Sequence, residues 1–196
     1  FNNTYKILPA VFDIWMRVLK QVDGSVLWLL ADNPTMARNL RREALARGVD
    51  PARLVFAERA PMPEHVARQV HGDLFLDTAP YNAHTTASDA LWMGLPVLTC
   101  PGATFASRVA ASLVRAADLP ELVVTSWAEY ERTAVMLART PALLQPLRER
   151  LRRNRATCRL FDTGRFTRHL EAGYRAMYER LHAGLPPDHI VVPAES

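Results

Sequence analysis

The chain has 196 residues, 49% of them hydrophobic and 22% charged, enough apolar sequence to bury one substantial core and too little polar bias for a disordered half. Its apolar runs are too short to cross a bilayer and no basic-plus-apolar leader opens it, so no membrane partner and a cytoplasmic setting are expected. The formal net charge of +4 is carried by arginines spread among acids, and no aromatics interleave with the densest cluster, residues 148–155, so nucleic acid is not an expected partner.

Taken in order, the chain begins with Phe1-Asn2-Asn3-Thr4-Tyr5-Lys6, and Lys6 is one of only two lysines, with Lys20. Over residues 9–22 apolar side chains recur at helical spacing, at Val11, Ile14, Trp15, Val18 and Leu19, and Asp23-Gly24 stops the helix. Residues 25–30 read as a buried strand, 34–48 as a second helix and 53–56 as a second strand. A loop then turns into a helix at Ala60-Pro61-Met62-Pro63-Glu64-His65-Val66-Ala67-Arg68. Val66 and Val70 are expected on the core side, which leaves His65 and Arg68, three residues apart, on a shared outer face.

Residues 73–78 read as a third strand, 97–100 as a fourth and 122–124 as a short last one. Helices are expected over 127–139, 141–155 and 166–181, packed on the sheet, with Tyr174, Met177, Tyr178 and Leu181 as core positions at helical spacing. Cys100, at a strand end, and Cys158, on a polar helix, make no disulfide framework and have no metal-ligand company, so both read as free thiols. This alternation of strand and helix, with near-continuous apolar strands, predicts an α/β fold: a Rossmann-like parallel sheet with helices on both faces. The expected organisation is one domain over residues 1–185 and an irregular, proline-marked tail over 186–196. No repeat with the 34-residue tetratricopeptide period is present.

Ligands of such sheets bind at the carboxyl ends of the strands, which singles out the stretch between the third and fourth. Pro80-Tyr81-Asn82-Ala83-His84-Thr85-Thr86-Ala87-Ser88-Asp89-Ala90-Leu91-Trp92-Met93-Gly94-Leu95-Pro96 reads as a polar loop and a short helix. Leu91 and Trp92 are expected to anchor that helix, Gly94 to end it and Pro96 to keep it from restarting. Its N-terminus gathers free N–H groups, the positive end of the helix dipole, two threonine hydroxyls and an imidazole, a set that suits a phosphate or diphosphate. Asp89 lies one turn further on, where a carboxylate can accept from ribose hydroxyls. The same residues also fit a plain helix start, with Thr85 as N-cap and Asp89 complementing the dipole.

Asp77-Thr78, then Asn82-Ala83-His84-Thr85-Thr86, then Asp89-Ala90-Leu91-Trp92 resemble the UDP-binding segment of the O-linked N-acetylglucosamine transferases, glycosyltransferase family 41. The opening Phe1-Asn2-x-x-Tyr5-Lys6 and the later Pro101-Gly102 and Ala106-Ser107-Arg108-Val109 match the family in the same order, so the resemblance covers essentially the whole chain. It implies the C-terminal, nucleotide-binding half of a GT-B glycosyltransferase, of bacterial type given Tyr81 and Ala83. The first strand, the N-terminal half and tetratricopeptide repeats of such a parent lie outside this sequence.

The activity implied is inverting transfer of N-acetylglucosamine, or a related sugar, from UDP to serine or threonine hydroxyls of an acceptor protein. The implied UDP-sugar-binding set is Asn3, Lys6, Ala60, His65, Arg68, His84, Thr85, Thr86 and Asp89. Within it Lys6 meets the diphosphate and acts catalytically, and His65 and Arg68 lie along the uracil. The segment 101–112 would form a second wall of the donor pocket, with a packing helix carrying Arg108 in an ion pair as the alternative. Asn3 stands where the animal enzymes carry glutamine, and Met62 where they carry a lysine. No DxD-like carboxylate pair ends a strand, so neither metal nor cofactor is expected. The base and acceptor groove belong to the other half, so the fragment alone is expected to be inactive. Two other readings stay open: a sugar-nucleotide-binding module without transfer, which Met62 favours, and a related protein glucosyl- or fucosyltransferase. The fucosyl relatives lack His-Thr-Thr-x-x-Asp.

Overall fold

Four short parallel strands and eight helices make up the computed structural model, which describes residues 3–193. Phe1 and Asn2 of the opening motif and the last three residues of the expected tail lie outside the described residues. The chain divides into two compact units, Phe1–Arg155 and Ala156–Ser196, so the domain expected to reach residue 185 spans both.

The first unit holds all four strands. After helix α1 (Pro9–Gln21), strand β1 (Leu27–Leu30), helix α2 (Pro34–Ala46) and strand β2 (Leu54–Ala57) form one strand–helix–strand repeat, with Leu27 opposite Leu54 and Leu30 opposite Ala57. Helix α3 (Met62–Ala67) leads to β3 (Phe75–Leu76), and α4 (Thr85–Trp92) to β4 (Val97–Leu98), where Phe75 faces Val97 and Leu76 faces Leu98. Both pairs are parallel, as the apolar runs predict. Helices α5 (Val109–Ala116), α6 (Trp127–Arg139) and α7 (Pro141–Asn154) complete this unit.

The strands are shorter than their apolar runs. Arg53, expected in the second strand, lies in a 3-10 turn that Asp50 caps by accepting from Ala52 N at 2.9 Å. The expected last strand is a 3-10 turn at Pro120–Leu122 followed by a single bridge between Thr99 and Val123. Hydrogen bonds continue past the ladder ends all the same, from Asp77 N to Leu98 O at 3.0 Å and from Val124 N to Thr99 O at 3.0 Å.

The sheet is not continuous. Among the described residues β1 bonds only to β2, and β3 only to β4. Their other edges line one cavity of about 880 Å³, with Leu27, Leu29, Phe75 and Leu76 on its strand walls and Trp15, Val18 and Leu19 of α1 beside them.

Three expectations about side chains fail here for physical reasons. Val66 and Val70 were to face the core, but the helix tightens into a 3-10 turn at Arg68–His71, whose three-residue period buries Gln69 and leaves Val70 exposed. Trp92 is not buried as an anchor of α4: Leu91 is fully buried, while Trp92 is 43% exposed with the Arg155 guanidinium 5.0 Å from its ring. Cys158 lies in the turn before the last helix rather than on a helix, although both cysteines are buried, free thiols.

In the second unit, helix α8 (Thr163–His182) has no buried residue, and Tyr174, Met177, Tyr178 and Leu181, read as core, are exposed. An amphipathic stripe states which face is apolar, not which surface covers it. The described part of the tail is irregular, as expected, and Arg180 holds it through Pro186 O and Asp188.

Two arginines of the α7 cluster bind backbone carbonyls. Arg148 donates to Gly72 O at 3.0 Å and Val70 O at 3.1 Å, and Arg150 donates to Asp118 O at 3.0 Å and Glu121 at 2.6 Å. No helix of the described residues is long and apolar enough to cross a membrane.

Helix α1 packs against α6. Seven apolar residues of α1 are buried, including Phe12, Trp15 and Met16, each worth about 1.5–3 kcal/mol relative to exposure. Tyr130 of α6 is completely buried there, and its hydroxyl donates to Asp77 O at 2.9 Å and accepts from Trp15 Nε1 at 3.4 Å. One phenol thus ties two helices to the end of β3. Tyr130→Phe keeps the ring and strands both polar partners, so it is expected to lower unfolding free energy by about 1–3 kcal/mol in chemical denaturation. An unchanged denaturation midpoint and slope would mean that the hydroxyl contributes nothing.

Asp77 itself is 1% exposed. Its Oδ1 accepts from Ala83 N and its Oδ2 from Thr99 Oγ1, each at 2.7 Å. Burial pushes its pKa up to about 6, against the pull of these hydrogen bonds and of the Lys6 charge. The folded chain therefore keeps the Asp77 proton up to about pH 6, whereas the unfolded chain releases it near 3.8. More protons are bound when folded, so the contribution of Asp77 to stability falls as pH rises through that window. Asp77→Asn is expected to flatten the dependence between about pH 4 and 6, measured by denaturation across that range; an unaltered slope would count against the raised pKa.

Candidate functional site

The loop from β3 to α4 is fixed by side chains acting on its own backbone. Besides the Asp77 bond to Ala83 N, Thr78 Oγ1 donates to Tyr81 O at 2.8 Å and Asn82 Nδ2 to Thr78 O at 2.8 Å. Asn82 N donates across to Ala106 O at 3.0 Å. Ala106 belongs to a 3-10 turn, Phe105–Ser107, packed against Gly102, where an added Cβ would come within 2.7 Å of Ser107 Oγ. Behind it Ala110 and Ala111 of α5 are buried, so the small residues of this segment do let the helix in closely. Arg108 is exposed and makes no ion pair among the described residues.

Helix α4 starts without a side-chain cap. His84 is its N-cap and makes no capping bond, while Ala87 N and Ser88 N both donate back to His84 O at 3.1 Å. Thr85 and Thr86 form the first turn, with Thr85 exposed, which places two threonines at the positive end of the helix dipole. His84 Nε2 lies 3.3 Å from Ala106 O, a bond made when that nitrogen carries the proton. At the other end Gly94, at φ +79°, takes the left-handed turn that lets Leu95 N reach Ala90 O at 2.9 Å and ends the helix as expected.

Lys6 arrives at this helix end from the opening segment. It closes a 3-10 turn, Thr4–Lys6, is 8% exposed, and donates from Nζ to Asn82 O at 2.8 Å. Burial lowers its pKa, and the Asp77 charge opposes that shift. An ammonium has three donors, and among the described residues one is used, which leaves charge and hydrogen-bonding capacity for an anion.

A second group sits one turn along. His65 Nδ1 is 2.6 Å from Arg68 Nη2, and Arg68 Nη1 donates to Glu58 O at 2.7 Å. A guanidinium only donates, so Nδ1 is the acceptor and the neutral imidazole carries its proton on Nε2. Burial, and then the Arg68 charge, lower the His65 pKa, while Asp89 raises it; burial raises the Asp89 pKa, against the His65 charge. The charges of His65 on α3 and Asp89 on α4 thus act on each other.

The structure therefore gathers Lys6, His84, Thr85 and Thr86 at one end of α4 and His65, Arg68 and Asp89 along its side. Ala60 is half-buried in the loop between β2 and α3. Asn3 is exposed and acts through its carbonyl, which accepts from Lys6 N at 3.1 Å; its side chain makes no capping bond. Met62 opens α3 and is exposed. Sequence reasoning gave no role to Asp77, to the Asn82 carbonyl or to Tyr81, whose ring lies 4.1 Å from Lys6 Nζ. The signal for Asp77 was an acid at the end of an apolar strand. No group of three His, Cys, Asp or Glu able to hold a metal occurs among the described residues. A cation and a helix N-terminus, with a His–Arg pair and a carboxylate on neighbouring helices, form an arrangement able to hold a diphosphate at one end and hydroxyl-bearing groups at the other.

Comparisons with known proteins agree with this geometry. The profile of glycosyl transferase family 41 matches residues 1–170. The chain is 41% identical over 193 residues to a probable UDP-N-acetylglucosamine–peptide N-acetylglucosaminyltransferase of Arabidopsis thaliana, covering 98% of this chain and 20% of that protein. It is 38% identical over 196 residues to the UDP-N-acetylglucosamine–peptide N-acetylglucosaminyltransferase of Caenorhabditis elegans, covering 100% and 17%. It thus spans about a fifth of the length of these relatives. Among solved structures, a mutant of the O-GlcNAc transferase of Thermobaculum terrenum superposes with a TM-score of 0.86 at 38% identity, over 91% of this chain and 35% of that one. A profile match over most of the sequence and a fold shared at that identity carry one conclusion: the chain belongs to glycosyl transferase family 41.

Proposed function

We propose that this chain is the donor-binding half of a protein glycosyltransferase that moves N-acetylglucosamine from UDP to serine or threonine hydroxyls, inverting the anomeric carbon and using no metal or cofactor. The observation that carries the proposal is the convergence of the Lys6 ammonium and the uncapped N-terminus of α4 on the Asn82–Thr85 loop. In this reading the diphosphate lies there, and the His65, Arg68 and Asp89 face takes the nucleoside. The names of the relatives, which are UDP-N-acetylglucosamine–peptide transferases, support the donor and the acceptor class.

The reaction breaks the bond between the sugar and the diphosphate while an acceptor hydroxyl attacks from the opposite face. Negative charge grows on the departing diphosphate. Lys6 and the first turn of α4 are already oriented there, so they stabilise that charge with little reorganisation. Holding Lys6 against a carbonyl and partly out of water strengthens its interaction with an anion. The acceptor groove and the group that takes the hydroxyl proton are assigned to the remainder of a longer parent, which also carries any helical repeats. The second reading, a sugar-nucleotide sensor without transfer, rests on exposed Met62 at the start of α3, where a donor to the nucleotide is lacking. Protein labelling by the full-length parent separates the two, because a sensor binds the donor and labels nothing.

With a single nucleoside-binding face built from His65, Arg68 and Asp89, UDP is expected to bind more tightly than GDP. Isothermal calorimetry on the full-length protein checks this, and equal or tighter GDP binding rejects the uridine assignment.

Lys6 and Asp89 are expected to fail in different ways. Lys6→Ala removes charge stabilisation that grows toward the transition state, so kcat is expected to fall by the equivalent of about 2–4 kcal/mol. Asp89→Ala removes a contact present before and during transfer, so its effect falls mainly on KM. Steady-state kinetics of the two variants, with folding checked by circular dichroism, decides the matter. An unchanged kcat for Lys6→Ala means that the leaving group is handled elsewhere.

A further inference from the structure

Among the described residues, Tyr81 is the loop side chain whose ring meets both Lys6 and His84 at the head of α4. Its ring centroid is 4.1 Å from Lys6 Nζ and 4.9 Å from the His84 ring, which stacks on it at 24°. The ring is fixed from two further directions: the Tyr5 ring meets it edge-on at 6.4 Å and 82°, and its own carbonyl accepts from Thr78 Oγ1 at 2.8 Å. The His84 ring is flanked in turn by Phe105, edge-on at 6.3 Å. Four aromatic side chains therefore form a wall beside the ammonium, with Tyr81 in its middle.

From this geometry we propose that Tyr81 is a positioning residue: its π face and the Asn82 carbonyl together hold the Lys6 ammonium in place, and its stacking on His84 sets the spacing between the two groups that receive the diphosphate. The inference rests on the donor-site reading above. A lysine has four rotatable side-chain bonds and loses much rotamer entropy when held. The Asn82 carbonyl fixes one N–H direction and leaves the chain free to swing about it. A ring face at 4.1 Å removes that freedom by attracting the charge without using up an N–H donor. The ammonium is then held and still able to donate to an anion. A ring at 41% exposure tolerates substitution without opening a core cavity, so variants at this position report on the site rather than on folding.

The contact depends on the ring face and not on the phenol hydroxyl, for which no hydrogen bond is seen among the described residues. Tyr81→Phe in the full-length transferase is therefore expected to keep kcat within about twofold, whereas Tyr81→Leu, apolar but without a π face, lowers kcat about 5- to 30-fold, the range of a partly desolvated cation–π contact. In a Lys6→Ala background the same Tyr81→Leu change is expected to have less than a twofold effect, because the group it positions is gone. Tyr81→Met repeats the contrast should the leucine variant lose its circular dichroism spectrum. Loss of activity in Tyr81→Phe equal to that in Tyr81→Leu overturns the proposal, as does full additivity with Lys6→Ala. If Lys6→Ala alone is silent, the donor-site reading has failed; if Lys6→Ala is impaired while Tyr81→Leu matches wild type, only the positioning role has failed.

Discussion

A carboxylate placed among apolar strands is tolerated only when its oxygens are fully engaged, and the site of this protein is arranged around one such group. Asp77 sits at the end of β3 and binds the Ala83 amide in the loop and the Thr99 hydroxyl beyond β4. Those two bonds join consecutive strands to the start of α4. The Tyr130 hydroxyl on the Asp77 carbonyl extends the tie to α6, and through Trp15 to α1. Loop displacement would leave a buried charge without partners, so the conformation that presents Asn82 O to Lys6 is the one the core enforces. The Lys6 charge in turn favours the ionised form of Asp77. Scaffold and loop thus share one electrostatic unit, in which the Lys6 ammonium helps to keep the buried acid charged.

What could be read from the sequence was what local chemistry determines. The alternation of apolar runs and helical periods predicted parallel strands, and Gly94 followed by Pro96 predicted the end of α4; both hold because each signal acts within a few residues. The head of α4 was legible for the same reason, since loop, threonines and imidazole are contiguous. Lys6 was placed by resemblance, and nothing in its immediate neighbours states that it will cross to Asn82, 76 residues away. Strand lengths were overestimated because an apolar run continues into turns whose amides bond elsewhere, as at Arg53 and Leu122. The roles of Asp77 and Tyr81 depend on partners distant in the chain or on how a ring is turned, and composition carries neither. The α8 stripe was misread because periodicity gives the direction of an apolar face without naming what lies opposite.

The basic character of the chain has a structural use. Arg148 and Arg150 bind backbone carbonyls at Val70, Gly72 and Asp118, and Arg68 does the same at Glu58. A planar guanidinium can bridge two acceptors at once, and these residues fasten turns that have no ladder of their own. Part of the positive charge is thereby neutralised against carbonyl dipoles inside the fold. Lys6 differs: among the described residues its ammonium uses one of three donors, beside the N-terminal end of α4.

The cavity between β1 and β3 bears on how this segment behaves apart from other polypeptide. Two strand edges line one apolar space, and among the described residues each strand is paired on its far side alone. An unpaired edge is a template for another strand, and here two edges of parallel pairs are offered to the same guest. An extended apolar segment entering that space would hydrogen-bond on both flanks and merge the two ladders into a single sheet. Within this unit the cavity is thus the place where apolar side chains and unpaired backbone edges of the described strands coincide.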